Sequence, residues 1–411
     1  MIAAHHDQVT SSEPRRGLRA VWAAVGVSTL GDGAFAAALP LAAAAITRDP
    51  TAVAAVSAAA IVPWVVIQPV AGALMDRWPY RSVMIVADVA RAAIVAAVTV
   101  LVATGTAGIA VLAVVGCAMV AGQIFHDTAV QGVVPSLAGR GGAQLDRANG
   151  RIYGAETAGK QLLGPPVGSA TFAVANWLPF AADGASFVVS AILLWRLPRV
   201  PAPNASPGRL WRSVVEGTVW LARHPQLRTL ALLASAGNIA YHISWATFVL
   251  LATDKSGLRL SPAAFGLMFA AYALGGVVGG PLTARVNAVL RPQRALLCLA
   301  VVHALAWPLI AAITSVWVAV PALAMVGAAQ TMTTTTNVGL RQMLVPPELL
   351  NRVIAAFRWA VNAPTPIAAL AGGVLASAFG LRAPLAVAGI VLLIAALASA
   401  PTLLKRPLAT E

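Results

Sequence analysis

The sequence predicts an all-α membrane protein of twelve transmembrane helices in two pseudo-symmetric six-helix bundles. Three observations carry this. The 411-residue chain is 59% hydrophobic and only 10% charged, with a mean hydropathy of +0.80, whereas soluble proteins are about a quarter charged. Twelve stretches are apolar over the ~20 residues that a spanning helix needs, and basic residues collect in alternate gaps between them. Such a composition excludes disordered, secreted and nucleic-acid-binding chains. Cys117 and Cys298 sit inside apolar runs and offer neither a disulfide framework nor a metal cluster.

The first span, residues 19–46, follows a polar tail (1–18) that lacks the apolar core of a cleavable signal peptide. A short basic turn containing Arg77 and Arg81 separates the second span (52–75) from the third (82–103). The fourth (108–134), fifth (151–174) and sixth (178–196) complete an N-terminal bundle over 19–196. Residues 197–225 form the one long break, rich first in proline (Pro198, Pro201, Pro203, Pro207). It continues as an amphipathic helix with Leu210, Val214, Val215, Val219 and Leu221 on one face, and Arg209, Arg212, Glu216 and Arg223 on the other. We expect that helix to lie on the membrane surface as a linker. Spans at 226–252, 262–284, 294–313, 316–341, 353–376 and 383–403 build a C-terminal bundle over 226–403, followed by a tail, 404–411.

Counting Lys and Arg by loop gives the orientation. With the N-terminus in the cytoplasm, 21 basic residues face the cytoplasm and four (Arg48, Lys255, Arg259, Arg382) face outward. Both termini are therefore expected in the cytoplasm, in a multi-pass inner (plasma) membrane protein. The formal charge of +14 then reflects topology rather than a nucleic-acid surface. The bundles also repeat each other. Gly72-Ala-Leu-Met-Asp76-Arg77 and Gly280-Pro-Leu-Thr-Ala284-Arg285 stand 208 residues apart, and Gln131-Gly-Val-Val-Pro135 and Gln342-Met-Leu-Val-Pro346 stand 211 apart. Each pair ends corresponding helices, as in parallel-repeat transporters.

These segments resemble the major facilitator superfamily. The loop Gly72-Ala-Leu-Met-Asp76-Arg77-Trp-Pro79-Tyr80-Arg81 is similar to its loop motif, with Pro79 at the usual second glycine and Tyr80 at a usual basic position. Gly164-Pro165-Pro-Val-Gly168 resembles the fifth-helix motif of antiporters, with Lys160 at its leading glycine. Leu30-Gly-Asp32-Gly, Ala87-Asp88-Val-Ala-Arg91-Ala, Asn149-Gly-Arg151 with Glu156, and Leu340-Arg341-Gln342 through Arg352 resemble the branch containing the enterobactin exporter and macrolide-efflux proteins. The resemblance implies the major facilitator fold and a cytoplasmic gate. In that gate Asp76 meets the N-terminus of the eleventh helix, whose dipole favours negative charge. Gly72, Asp76, Arg77, Arg81, Asp88, Asp127 and Arg358 are its candidates, with Arg81 expected to pair with Asp127, and Arg358 placed to meet Asp127.

An ionisable residue at the bilayer centre costs at least ~2.5–3.5 kcal/mol, so each needs a partner or a function. The N-terminal bundle holds Asp32, Asp88, Arg91, Asp127, Glu156 and Lys160, with Asp183 nearer the outer end of its helix. The C-terminal bundle holds Arg358, His242 and His303 at depth, and no acid. Asp32 lies 13 residues beyond Arg19, roughly 20 Å in at 1.5 Å per residue. Asp88 and Arg91 are i,i+3 neighbours and Glu156 and Lys160 are i,i+4 neighbours, so each couple is expected to pair. Two readings of Asp32 stay open: a proton carrier, or a permanent ion pair with Arg91. Glu156 is the rival carrier, and His126 beside Asp127 is a further titratable group. Trp64, Trp245 and Trp359, His242, Gln330, Asn337 and Asn362 are candidates for a substrate cavity, and Thr333 to Thr336 make the tenth helix unusually polar.

No phosphate-binding loop of the form G-x-x-x-x-G-K-[ST], metal-ligand spacing or nucleophile–base pair is present. We therefore expect a secondary transporter rather than an enzyme, with no cofactor and energy from the proton gradient. It would export a small amphipathic molecule (drug, natural product or siderophore) by alternating access, as a monomer with the lipid bilayer and protons as its other partners. A proton-coupled uptake symporter and a non-transporting sensor or scaffold remain alternatives.

Overall fold

The computed structural model describes residues 3–68, 71, 78–138, 142–197 and 210–405. Among them every regular element is helical. In order these are α1 (Ala3–Ile46), α2 (Pro50–Val66), α3 (Tyr80–Ala103), α4 (Ile109–Ala138), α5 (Ala143–Thr157), a π-helical segment (Ala158–Leu163), α6 (Gly164–Val174) and α7 (Leu178–Trp195). Then follow α8 (Leu210–Arg223), α9 (Pro225–Thr253), α10 (Pro262–Leu290), α11 (Pro292–Ala312), α12 (Val316–Leu344), α13 (Pro347–Asn362), α14 (Thr365–Phe379) and α15 (Ala383–Lys405). Nine spans among the described residues are long and apolar enough to cross a membrane, and α2 is a shorter apolar helix. Over the described residues each predicted span coincides with one helix, except the fifth and the eleventh, which are broken; the end of the second (52–75) lies outside them. Gly72, Asp76 and Arg77 lie outside the described residues.

Both breaks have proline causes. A proline inside a helix removes one donor and crowds the carbonyl four residues back. Pro165 and Pro166 follow Ala158–Leu163 directly, and the backbone there relaxes into π geometry before α6 begins. Pro364 and Pro366 likewise part α13 from α14, which restarts at Thr365.

The chain divides into two compact units. One comprises Met1–Ala43, Val62–Ser206 and Pro262–Gly266; the other comprises Ala44–Ile61, Pro207–Ser261 and Leu267–Glu411. The first unit packs Val21, Val25, Met84, Val130, Val133, Ile152 and Leu194 into a core shared by α1, α3, α4, α5 and α7. In the second, Ala54, Ala58, Ala246 and Ala369 form a small-residue seam. The amphipathic helix α8 packs on α13, with Gly217 against the backbone of Arg352 and Leu221 buried.

Lipid does not itself drive helices together, so close packing depends on small residues. The antiporter-like segment shows this. A Cβ on Gly168 would meet the backbone of Ala34, one on Gly164 would meet Gly33 and the carbonyl of Leu30, and Pro165 lies where a Cβ on Gly266 would fall. Thus Gly164 and Gly168 form the seam between α6 and α1, and Pro165 packs against Gly266 of α10. In the second unit Gly275 and Gly279 of α10 do the same against Ala324 and Ala328 of α12. Gly168→Ala is expected to lower the melting temperature in detergent, because overpacking costs about 1–3 kcal/mol. Gly280→Ala, with no heavy atom within 4 Å of the added methyl, should be neutral or gain up to about 1 kcal/mol of helix propensity. A Gly168→Ala protein that melts with the parent would show that the seam has slack.

Candidate functional site

The first unit brings five helical segments to one charged cluster. Arg91 of α3 is 1% exposed, and its guanidinium pairs with Asp32 of α1. Asp88, one turn earlier and fully buried, stands 3.7 Å from Arg91 Nη1. The guanidinium carbon lies 3.8 Å above the ring of Phe187 of α7. Gly122 of α4 leaves room for the aliphatic part of the side chain, since a Cβ there would meet Arg91 Cγ at 2.7 Å. Neither reading of Asp32 is eliminated, because a carboxylate paired in one conformation can exchange its partner in another.

A second limb extends from the same acid. Lys160 Nζ donates to Asp127 Oδ2 at 3.0 Å and stands 3.9 Å from Asp32 Oδ2. Gln123 Nε2 also donates to Asp127 Oδ2, at 3.3 Å. His126, 2% exposed, bridges the limbs, with Nε2 3.7 Å from Asp88 and Nδ1 3.6 Å from Asp127. Asp88 and Asp127, assigned from sequence to a gate, therefore sit in the same cluster as the proton-coupling candidates.

Several expected pairings are corrected. Lys160 does not pair with Glu156; it pairs with Asp127, because Lys160 lies in the π-helical segment, where the i,i+4 relation of an α-helix no longer holds. Glu156 is half-buried and forms no ion pair among the described residues. Arg81 does not pair with Asp127. It sits at the start of α3 and donates through Nη2 to the carbonyl of Trp195 at 2.5 Å, satisfying one of the open carbonyls that end α7. Asp183 lies nearer the Leu178 end of α7, as expected, and is completely buried, with its carboxylate against Gly31 and 3.5 Å from Ser186 Oγ. Asp183 is 13 residues from Arg196, roughly 20 Å, the same depth as Asp32.

The second unit has a different character. A cavity of about 190 Å³ is lined by α9, α11, α12, α13 and α15. Gln330, Asn337 and Asn362 line it as expected, with Asn238, Thr333, Thr334, His303, Arg341 and Arg358. Asn238 Nδ2 donates to Asn362 Oδ1 at 3.2 Å, and Asn362 Nδ2 to the carbonyl of Arg358 at 2.7 Å. Other cavity candidates lie elsewhere. Trp245 packs among Phe248, Phe269 and Tyr241, and His242 stands edge-on to Tyr241. Trp359 is 50% exposed and Trp64 is half-buried; neither lines this cavity. Arg341 was counted with the loops, and its burial was not foreseen.

Residues 14–409 match the transmembrane secretion effector family of the major facilitator superfamily. The chain belongs to that family. It is 28% identical over 344 residues to the multidrug efflux pump Tap of Mycolicibacterium fortuitum, covering 80% of this chain and 81% of that protein. Against Tap of Mycobacterium tuberculosis it is 30% identical over 256 residues, 60% of this chain and 59% of that one. Solved structures share the fold. A variant of the nucleoside transporter NupG matches with a TM-score of 0.77 at 11% identity, over 94% of this chain and all of that one. A bacterial homologue of the iron transporter ferroportin matches at 0.76 and 16% identity, over 95% and 99%. The protein is thus a multi-pass membrane transporter of the major facilitator fold.

Breaking one partner of a buried ion pair costs about 3–5 kcal/mol, because the other charge is left uncompensated. Arg91→Met is therefore expected to lower folded yield and melting temperature sharply, and Asp32→Asn combined with it should recover part of the loss. A double variant no more stable than Arg91→Met alone would show that Asp32 is not the partner that matters for Arg91.

Proposed function

We propose that this protein exports a small amphipathic organic molecule, such as a drug, natural product or siderophore, in exchange for protons. The likeness to proteins named as multidrug efflux pumps supports export. The observation that carries the proton part is the cluster of the first unit. It holds the carboxyl groups of Asp32, Asp88, Asp127, Asp183 and Glu156 against only two permanent cations, Arg91 and Lys160. Buried charge is tolerated only when paired. Acids in excess of fixed cations give the cluster places to take up and release protons as the halves alternate access.

Asp32 is the carrier in this reading. It is 10% exposed and lies between both cations, so adding a proton removes the charge that holds Arg91 to α1 and draws Lys160 towards it. That weakens contacts among α1, α3 and the π-helical segment, and favours the conformation that releases cargo outside. Lys160 keeps Asp127 as partner throughout. The protein would act as a monomer in the plasma membrane, both termini cytoplasmic, drawing on the proton gradient without a cofactor.

The test is direction-resolved flux in everted membrane vesicles energised to be acid inside. The parent should accumulate an amphipathic substrate such as ethidium, and dissipating the gradient should abolish this. Asp32→Asn should lose gradient-driven accumulation while retaining exchange down a substrate gradient; Glu156→Gln should keep most of the driven flux. Full driven flux in Asp32→Asn would remove Asp32 from the carrier role. Accumulation only with the opposite vesicle orientation would replace export by uptake.

A further inference from the structure

The cavity of the second unit presents cations without carboxylates. Arg341 is 7% exposed, and its Nε has no hydrogen-bond partner. Its guanidinium is held over the ring of Phe357, 4.3 Å from the centroid, which fixes its direction without neutralising it. Arg358 lines the same cavity. Neither arginine has an ion-pair partner among the described residues. The acids of the second unit are Asp49, Glu216 of α8, Asp254, Glu348 and Glu411; of those whose side chains are described, Asp49 and Asp254, neither lines this cavity. Asp254 follows α9 and already accepts from the Ser256 N–H and hydroxyl at 2.7 and 2.5 Å; Glu348 belongs to the first turn of α13. Three further lining groups are buried with unsatisfied polar atoms: Thr333 Oγ1, His303 Nε2 and Asn337 Oδ1.

A buried cation without a counter-charge is unfavourable, and buried polar atoms without partners each cost about 1–3 kcal/mol. The arrangement is that of a site whose missing partner is a ligand. Its chemistry follows from its lining. The polar lining offers guanidinium groups suited to a planar, bidentate acid. The cavity also has an apolar lining, from Leu233, Val338, Val361 and Leu392 with Phe357. We propose that this cavity binds the acidic group of an amphipathic organic anion, with Arg341 and Arg358 on the carboxylate and the apolar wall on the ring or chain that bears it. The proposal rests on the export reading for its role as a cargo subsite, and makes organic acids the preferred cargo.

The test uses the full-length protein in lipid nanodiscs, in chloride-free buffer, with 2-naphthoate and 2-naphthamide, which share a ring system and differ in charge. Binding is read from the ligand-dependent shift in melting temperature. The parent should bind the naphthoate about tenfold or more tightly than the amide, as expected for one charge-assisted hydrogen-bond pair. Arg341→Gln and Arg358→Gln should each reduce that preference and leave amide binding unchanged, while Arg341→Lys should keep part of it. Arg358 is exposed, so its variant guards against a folding defect at Arg341. Equal binding of the two compounds by the parent, or a preference untouched by both glutamine variants, would overturn the proposal. Ethidium accumulation in energised vesicles without naphthoate selectivity would leave export standing and remove only the anion site. Selective naphthoate binding with no flux in either vesicle orientation would do the reverse.

Discussion

The first unit is organised around one buried guanidinium. Arg91 carries a permanent charge into a low-dielectric interior, where it persists only with partners on several sides. Asp32 supplies one from α1 and Asp88 another from α3 itself, while the face of Phe187 brings in α7 and the absent side chain of Gly122 admits α4. Through Asp32 the network reaches Lys160, and through Lys160 it reaches Asp127 and the π-helical segment. Hydrophobic burial does not select among helix arrangements in lipid as it does in water. Polar constraints of this kind, with the glycine seams beside them, decide which helix faces meet.

The fold was legible almost in full because its signals are local. A run of ~20 apolar residues means a span whatever its neighbours do, and each predicted stretch coincides with helix. Even the two breaks are announced, by Pro165-Pro166 and by Pro364 with Pro366. What the pattern conceals is their consequence: a π segment rotates Lys160 away from the Glu156 pairing that ordinary helix spacing implies. The membership of the charged cluster was legible too, since any ionisable residue in a span is conspicuous. Its connections were not, because they join residues as far apart as Asp32 and Lys160 through helix rotations that no local pattern records. The burial of Arg341 was hidden by a counting rule that assigns basic residues near a helix terminus to the loop. The aromatic candidates show the remaining limit. Trp245 sits in an ordinary aromatic packing cluster, and sequence does not separate such a tryptophan from one that faces a cavity.

The two units differ in the chemistry they carry. One concentrates acids around two cations; the cavity of the other is lined by arginines, amides and hydroxyls, with no acid among its described lining residues. If both had kept the same ionisable groups, proton and cargo would compete at equivalent positions in each. The asymmetry instead separates the requirements of two ligands. A proton site needs carboxyl groups whose neighbours change as the protein moves. A site for an organic anion needs cations that stay charged, and guanidinium does so across the physiological range.

This separation bears on how export would be coupled. A carboxylate that bound protons and cargo at one point would enforce antiport by direct competition, and cationic cargo would suit it. With acids in one unit and arginines in the other, occupancy of each site must act through the equilibrium between conformations. A ligand shifts that equilibrium only by its difference in affinity for the two states. Protonation of Asp32 would supply such a difference by discharging one partner of Arg91. Cargo would supply it if Arg341, anchored on Phe357 of α13, and Arg358 on the same helix held the acid group in only one conformation. The helix carrying both Phe357 and Arg358 ends at the proline break before α14. At that break the backbone is without a continuous hydrogen-bond ladder, so α13, with Phe357 and Arg358, is not rigidly continued into α14.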